Sequence, residues 1–294
     1  ARGVPVVLAN ARLSEKSARG YARWRSLAEP AFASLAVVCA QSDADAARLR
    51  DAGARDVSVV GNLKYDLAPD PQLLARGRGW RGGVARGIVV AASTREGEEP
   101  ELLAAWRALA APRPLLVIVP RHPQRFGAVA ELVANAGVTL LRRSAWPDGA
   151  PPRDAIDCDI WLGDSMLEMP AWYALGDVAL LGGSFAPLGG QNLIEAAACG
   201  CPLVLGPHTF NFSDAAELAF AAGAAVRAAD MVAGVAAAVA LVSPAQAAER
   251  ARRSDAALEF AGAHRGAAAR MAVRILEIAD GAAPAERRAR TSAG

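Results

Sequence analysis

The sequence predicts an α/β protein built from two Rossmann-like units, of which the first is incomplete. Three observations support this prediction. Strand and helix patterns alternate along the chain, several strand candidates such as IVVAA and LLVIV are continuous apolar runs, and polar residues gather just after the strands. Alternation of this kind is the pattern of βαβ units. Continuous apolar strands are typical of a parallel sheet covered on both faces.

The first series of elements occupies residues 1–66. We predict strands at 4–9, 36–39 and 57–61, with helices starting near Ser14 and spanning 42–52. This short series is interpreted as the remnant of one Rossmann-like domain.

A polar, proline-containing segment at 69–87 leads to a second series, which we assign to a domain at 67–262. Its predicted strands are 87–93, 114–120, 138–141, 159–163, 177–184, 202–206 and 224–227. Its predicted helices are 98–110, one ending near 136, 169–174, one from 192, one from 213, and successive helices from 231 to 279. Residues 263–294 are expected to form a helix and tail that pack back on the first domain.

The composition indicates a globular chain and gives no strong electrostatic case for a nucleic-acid partner. The 294 residues are 53% hydrophobic and 21% charged, and the formal net charge is +2. We therefore predict no nucleic-acid partner. The uncharged stretch VAGVAAAVALVSPAQAA is broken by Pro244 and falls short of the roughly 20 apolar residues that a spanning helix needs.

The cysteines and the chain start add two expectations. No Cys or His spacing suits zinc, so Cys39, Cys158, Cys199 and Cys201 are expected to be reduced and mostly buried, as in an intracellular protein. The chain opens abruptly on the strand-like VPVVLAN without an initiator Met. We therefore expect it to be a piece of a longer protein.

Polar residues that follow the strands of the second series are candidates for a binding site. In an open parallel sheet, ligands bind beyond the carboxyl ends of the strands. The residues expected to converge there are Ser93, Thr94, Arg121, His122, Asp164, Met166, Asn192, Glu195, His208 and Asn211. Neither a metal cluster nor a Ser/His/Asp triad emerges from this set.

These candidates can also have purely structural roles. Ser93 and Thr94 can cap the next helix, whose first turn carries Glu98 and Glu99. Arg121 can form a surface ion pair, although its place directly after LLVIVP favours bidentate contact with phosphate. Asp164 can cap a helix, and Met166 can occupy a core position. His122 and His208 can form hydrogen bonds with the backbone.

The most informative segment is GGSFAPLGGQNLIEAAACG, residues 182–200. Glycine-rich loops before helices often hold phosphate, because free amides and the positive helix end attract anions. Asn192 and Glu195 lie on one helix face. Glu195 can close a capping box, or its carboxylate can accept hydrogen bonds from ribose hydroxyls. With two Rossmann-like units, the ribose-binding role indicates a nucleotide-sugar glycosyltransferase of the GT-B type.

Seven motifs make this indication specific: NARLSEKSARGYARW, GNLKYD, AASTREGEE, VPRHPQRF, WLGDSMLEMP, GGSFAPLGGQNLIEAAACG and GPHTFNF. In this order, from about residue 9 to 222, they resemble the bacterial 3-deoxy-D-manno-octulosonic acid (Kdo) transferase family. The resemblance implies transfer of Kdo from CMP-Kdo to a lipid A precursor in lipopolysaccharide biosynthesis. It further implies a peripheral or anchored position on the cytoplasmic face of the inner membrane, and an inverting mechanism without a catalytic metal or other cofactor.

The resemblance also implies roles for individual residues. Ser93 and Thr94 lie near the donor phosphate, Arg121 grips it, Met166 lines the cytidine site, and Asn192 with Glu195 secures phosphate and ribose. Further donor-site candidates are Gly190, Gln191, His208 and Asn211. The general base of the family is a Glu far upstream of the NARLS motif. No catalytic residue is therefore expected here, and the chain alone should transfer little or nothing.

Three cations form a candidate acceptor site. On a helix, Lys16, Arg19 and Arg23 share one face, which can meet lipid A phosphates or anionic headgroups, or can be merely solvated. Two further functions stay open at this point. One is a GT-B enzyme that uses a UDP-sugar, and the second is a nucleotide-binding module without catalysis.

Overall fold

A computed structural model describes residues 4–281. The strands are β1 (Val7–Ala11), β2 (Val37–Ala40), β3 (Val57–Val59), β4 (Ile88–Thr94), β5 (Leu115–Pro120), β6 (Leu140–Arg142), β7 (Ile160–Leu162), β8 (Val178–Leu181), β9 (Leu203–Leu205) and β10 (Ala225–Arg227). The helices are α1 (Glu15–Arg23), α2 (Arg25–Ala33), α3 (Asp43–Asp51), α4 (Pro71–Arg81), α5 (Glu98–Arg107), α6 (Phe126–Asn135), α7 (Met169–Leu175), α8 (Leu193–Ala198), α9 (Ser213–Ala221), α10 (Met231–Val242), α11 (Ala247–Ala263) and α12 (Ala267–Gly281).

The described residues form two compact units, and the first combines residues 4–67 with residues 264–281. Its sheet is parallel, in the order β1-β2-β3. The strand predicted at 4–9 is displaced in the structure: β1 starts at Val7, and Val4 and Val6 are 73% and 56% exposed. Pro5 accounts for the difference, because proline lacks the N–H that a strand donates to its neighbour.

The last described helix, α12, belongs to this first unit. Met271 is buried on its inner side, and Arg274 forms an ion pair with Asp56 at 2.8 Å. At the start of α12, the Asp66 carboxylate accepts hydrogen bonds from successive backbone amides. Such a cap satisfies donors that have no partner inside the helix. Residues far apart in sequence therefore build this unit together.

The second unit, Ala68–Ala263, carries a seven-stranded parallel sheet. The strand order is β10-β9-β8-β4-β5-β7-β6. The chain therefore adds strands on one side of β4, returns, and continues with β8 on the opposite side. A reversal of this kind opens a crevice at the carboxyl ends of the two central strands, which is where α/β proteins bind ligands.

The central strands of this sheet are buried on both faces, as their continuous apolar sequences predict. β5 is buried over its whole length, and β4 at all but one position. One face packs against α5, α6 and α10, where Trp106 is fully buried. On the opposite face, Trp80 and Trp172 pack with ring centroids 4.9 Å apart. This double cover holds the carboxyl ends of the strands in fixed positions.

The segment at 69–87, for which no helix was predicted, contains α4, so that prediction is wrong. The Asp70 side chain accepts the Gln72 N–H at 2.8 Å, and Pro71 occupies the first turn of the helix. Asp followed by Pro is a strong helix start, but the glycines further along suggested an irregular segment. Tertiary packing decides the outcome, because Gly77 and Trp80 are buried on the inner face of α4.

Gly77 sets the approach of α4 to α7. A Cβ atom at Gly77 would lie 2.1 Å from the backbone oxygen of Ala171, whereas nothing lies within 4 Å of one at Gly79. We expect Gly77→Ala to lower the free energy of unfolding by about 2 kcal/mol through overpacking. The matched Gly79→Ala should raise it by about 0.5 to 1 kcal/mol, because Ala favours the helix.

Urea unfolding followed by tryptophan fluorescence measures both effects, since most of the tryptophans lie in the second unit. Equal stability of the Gly77→Ala and Gly79→Ala variants would contradict the close approach of the two helices. The result bears on function because α7 carries part of the cleft described below.

Among residues 4–281, no single helix is long and apolar enough to cross a membrane. Met231–Val242 meets the length and composition required only when joined, across a sharp bend, to the helical stretch that follows it. Half of the residues of this helix, including Met231 and Val235, are buried in the second unit.

Candidate functional site

A cleft of about 290 Å³ opens in the second unit. Its walls come from the carboxyl ends of β4 and β5, the segment between β7 and α7, and the helices α4, α7 and α8. It is lined by Leu73, Ser93, Val119, Pro120, Arg121, Ser165, Met166, Leu167, Glu168, Met169, Pro170, Trp172 and Glu195. Four predicted donor-site residues thus meet in one place: Ser93, Arg121, Met166 and Glu195. The polar groups converge while Leu73, Met166 and Trp172 add apolar surface, a combination typical of small-molecule sites.

Ser93 and Thr94, predicted as a pair, point in different directions. Ser93 lines the cleft and has a φ of 55°, at a bulge where the register of β4 with β5 shifts. A left-handed conformation is uncommon for residues other than glycine and often marks a functional turn. Thr94 is 3% exposed, and its hydroxyl donates to the Glu99 carboxylate at 3.0 Å. Its side chain therefore braces the turn from inside, while Ser93 faces the cleft.

Arg121 provides an exposed guanidinium at the rim of the cleft. Its backbone N–H donates to the Thr94 oxygen at 3.0 Å, which fixes the residue beside the β4 turn. Within residues 4–281, no hydrogen bond or ion pair engages its side chain. The surface ion pair considered for Arg121 is thus not formed there, and the guanidinium is available to an anion. Its planar fork of donors suits two phosphate oxygens at once.

Glu195 faces the same cleft from α8. Burial raises the pKa of its carboxyl group above the ordinary value, and the charge of Arg121 offsets part of this effect. The two side chains are therefore close enough to interact electrostatically. Among the described residues, no hydrogen bond reaches the Glu195 carboxylate, so the capping box considered for it is not formed. Asn192 alone caps α8, since its side-chain oxygen accepts the Ile194 N–H at 3.2 Å.

The glycine-rich loop after β8 is shaped by residues that do not line the cleft. Gly189 and Gly190 have φ angles of 87° and 80°. Asn211 donates from its side chain to the Leu188 oxygen at 3.0 Å, and a Cβ at Gly189 would lie 2.3 Å from the Asn211 amide nitrogen. The Asn211 side chain therefore supports this loop. Five predicted donor-site residues lie in this loop or beside it and do not line the cleft: Gly190, Gln191, Asn192, His208 and Asn211.

The turn after β7 presents Met166 and Leu167 to solvent. Met166 is 49% exposed, and Leu167, with a φ of 64°, is 87% exposed. Carboxylates at each end hold this turn. Glu168 accepts two hydrogen bonds from Arg143 and one from Arg76. Met166 and Leu167 both line the cleft, so these two exposed apolar side chains offer a surface to a flat, partly apolar ligand group.

Asp164 anchors the opposite end of this turn. It accepts hydrogen bonds from the Ser144 hydroxyl at 2.6 Å and from Arg142 at 2.7 Å. Burial by itself raises the pKa of Asp164, but the bonds from Ser144 and Arg142 outweigh burial and lower that pKa. The carboxylate is thus engaged outside the cleft, and the helix cap considered for Asp164 is not formed.

Two remaining sets of candidates lie away from the cleft. His122, the residue after Arg121, is exposed and does not line the cleft. Lys16, Arg19 and Arg23 belong to the first unit, where all are exposed on α1. Arg19 also forms an ion pair with Glu15 at 3.3 Å. Among the described residues, no group of three or more His, Cys, Asp or Glu side chains is arranged to hold a metal ion.

Sequence reasoning missed the apolar wall of the cleft. Leu73 comes from α4, which was not predicted, and Leu167, Pro170 and Trp172 come from the start of α7 and the turn before it. The Asp70-Pro71 pair was the available signal for α4. The place of Leu167 had no comparable signal, because a left-handed leucine is not encoded by a local turn motif.

Comparisons with known proteins give a consistent result. A family model described as 3-Deoxy-D-manno-octulosonic-acid transferase (kdotransferase) matches residues 1–67. The 3-deoxy-D-manno-octulosonic acid transferase of Bordetella pertussis is 47% identical over 276 residues, which cover 92% of this chain and 63% of that protein. The Haemophilus influenzae protein of the same name is 36% identical, with coverage of 72% and 50%. The chain thus spans roughly half to two thirds of these relatives.

Solved structures agree. The C-terminal CMP-Kdo binding domain of WaaA from Acinetobacter baumannii is 29% identical, with a TM-score of 0.58, and the match covers 65% of this chain and 100% of that domain. Anabaena Alr3699/HepE in complex with UDP, at 17% identity and a TM-score of 0.55, covers 94% of this chain and 72% of its own. The second likeness shows the fold alone. The predicted α/β fold of the GT-B type is confirmed.

Proposed function

Because this chain belongs to the 3-deoxy-D-manno-octulosonic acid transferase family, we propose that its second unit binds CMP-Kdo for transfer of Kdo to a lipid A precursor. The observation that carries the proposal is the meeting of Arg121 and Glu195 in one cleft at the strand-order reversal. Within the part of the chain that the structure describes, an unpaired cation and a partly buried carboxylate that lacks hydrogen bonds match the two polar parts of a nucleoside monophosphate. The name of the WaaA domain supports the same donor.

The donor is proposed to lie with its phosphate at Arg121 and Ser93. The ribose hydroxyls donate to the Glu195 carboxylate, both of whose oxygens act purely as acceptors when the group is ionised. The cytosine ring rests on Met166, whose flexible, polarisable side chain packs well against flat rings. Asn192 caps α8, and Asn211 supports the glycine loop that contains Gly190 and Gln191. These residues, with His208, are proposed to act on the donor through the place of Glu195. Thr94 is proposed to support Ser93 indirectly, through its hydrogen bond to Glu99.

An inverting transfer is compatible with this placement. An acceptor hydroxyl attacks the anomeric carbon of Kdo, the bond to the CMP phosphate breaks on the opposite side, and a base takes the hydroxyl proton. Arg121 would stabilise the negative charge that grows on the departing phosphate. Following the family resemblance, we assign the base to a Glu upstream of this chain, so the 294 residues alone are proposed to bind donor without efficient transfer. No metal or other cofactor is required by this scheme.

The acceptor side is proposed to involve α1. Lys16, Arg19 and Arg23 are exposed, and the neighbouring Trp24 and Leu27 are 69% and 70% exposed. Cations beside exposed aromatic and aliphatic side chains suit the boundary between anionic headgroups and acyl chains. We propose peripheral contact with the cytoplasmic side of a bacterial inner membrane, where the acceptor phosphates would also be found.

Loss of two cations should weaken this membrane contact. We expect the double change Arg19→Ser and Arg23→Ser to reduce binding to phosphatidylglycerol vesicles about 30-fold, from about 1 kcal/mol per cation. Co-sedimentation measures the effect, and CMP affinity should stay unchanged. Arg107→Ser, an exposed position on α5, is the control. Equal vesicle binding by the double variant and the wild type would contradict a membrane-facing α1.

Calorimetric titration tests the donor assignment. The intact chain should bind CMP, and UDP should bind more weakly. Tighter binding of UDP, or an absence of CMP binding, would overturn the assignment of the donor. Transfer to a lipid A precursor can be tested separately, by supplying CMP-Kdo to a longer protein that includes the upstream part of the family sequence.

A further inference from the structure

We propose that Glu98 is a positioning residue for the donor phosphate, acting by clamping the glycine-rich loop after β8. The inference rests on the proposed function, because it concerns the same donor site. Glu98 begins α5, after the β4 turn, and is 1% exposed. It does not line the cleft, and its effect must therefore pass through the loop.

The Glu98 carboxylate accepts four backbone hydrogen bonds. One oxygen accepts from the Arg95 N–H at 2.9 Å and the Gly183 N–H at 2.8 Å. The second oxygen accepts from the Phe185 and Ala186 N–H groups at 3.1 and 3.2 Å. A buried carboxylate is costly unless its lone pairs are satisfied, and here both oxygens are. Three of the four donors belong to the glycine loop, so the clamp crosses between the β4 and β8 turns.

The clamp reaches the donor site through the loop. Gly183, held by Glu98, accepts the Gly190 N–H at 2.7 Å, which joins the two ends of the loop. Gly190 lies two residues before the Asn192 cap of α8, and α8 carries Glu195. At Gly182 the loop also contacts the end of β4 directly, because a Cβ at Gly182 would lie 2.4 Å from the backbone oxygen of Ser93. One buried carboxylate thus sets the relative place of Ser93 and the α8 start.

Glutamine cannot reproduce this clamp. Its amide has one acceptor oxygen, so Glu98→Gln keeps at most the two bonds on one side and turns an N–H₂ group toward the remaining two donors. Glu101→Gln is the matched control, since it makes the same change at an exposed position on the same helix.

The test measures calorimetric affinities of CMP and of cytidine, which lacks the phosphate, for the wild type and both variants. The dissociation constant of cytidine divided by that of CMP isolates the contribution of the phosphate to binding. In Glu98→Gln the ratio should fall about tenfold, with cytidine affinity within about twofold of the wild type, as the loss of a hydrogen bond to a charged group predicts. Glu101→Gln should leave the ratio unchanged. An unchanged ratio in Glu98→Gln, or an equal loss for both ligands, would overturn the proposal.

A second measurement keeps the inference testable if Glu98→Gln does not fold. Hydrogen exchange of the wild type without ligand should show protected amides at Gly183, Phe185 and Ala186, because Glu98 holds them before the donor arrives. Rapid exchange at all three would overturn the clamp. Failure of CMP to bind the wild type would instead reject the donor assignment, while leaving this exchange result as the separate test of the clamp.

Discussion

Arg121→Ala is expected to weaken CMP binding by about 100-fold while leaving the fold intact. The guanidinium is exposed at the rim of the cleft, and no ion pair within residues 4–281 depends on it. Its loss therefore removes charge-assisted bonds to the phosphate, each worth about 1.5 to 3 kcal/mol. Because the charge of Arg121 lowers the Glu195 pKa, the variant should also raise that pKa further. Calorimetry of CMP measures the first effect.

The controls for Arg121 separate charge from geometry. Arg121→Lys keeps the charge but loses the fork, so its CMP affinity should lie between those of the wild type and Arg121→Ala. Cytidine affinity should change little in either variant, since the nucleoside has no phosphate. If Arg121→Ala bound CMP as tightly as the wild type, the phosphate would lie elsewhere.

Glu195→Gln is expected to stabilise the chain at pH 7 while weakening CMP binding about tenfold. Burial raises the Glu195 pKa above its usual value of 4.5. Between that value and the raised pKa, the folded state binds more protons than the unfolded state, so stability falls as the pH rises. Above both pKa values, the full cost of burying the charged carboxylate is present. Glutamine carries no charge and removes this cost.

Thermal unfolding at several pH values measures the effect on stability, and calorimetry with CMP measures the effect on binding. The Tm difference between Glu195→Gln and the wild type should be positive at pH 7 and should vanish at about pH 4, where free glutamate is largely protonated. Glu101→Gln, at an exposed position, should show neither effect. A variant that bound CMP normally would show that the carboxylate does not hold the ribose.

Much of the second unit was predictable because its signals are local and repeated. The apolar runs gave the parallel strands, and a parallel sheet gathers the turns after its strands at one edge. Arg121 and Glu195 could therefore be placed together from sequence. The sequence could not exclude a capping box for Glu195, because the three-residue spacing of Asn192 and Glu195 fits both a capping box and a ribose contact. Side-chain positions were needed to decide between them.

Some features depend on contacts that no sequence pattern encodes. α4 was missed because Gly77 and Gly79 lower helix propensity, although Gly77 is required for close packing on α7. Thr94 was grouped with Ser93, yet its hydroxyl is bonded to Glu99. From sequence, Glu98 was recognised only as part of the first turn of a helix. Its four hydrogen bonds join turns that are far apart in sequence.

An NMR titration of the intact, isotope-labelled chain with CMP tests whether the donor lies in the cleft between Arg121 and Glu195, because it reports which residues contact the ligand. We expect concerted shifts of the backbone amides of Ser93, Arg121, Met166 and Glu195, with the same dissociation constant at each site. Saturable CMP binding that leaves these four amides unchanged and shifts another part of the chain would contradict this placement of the donor.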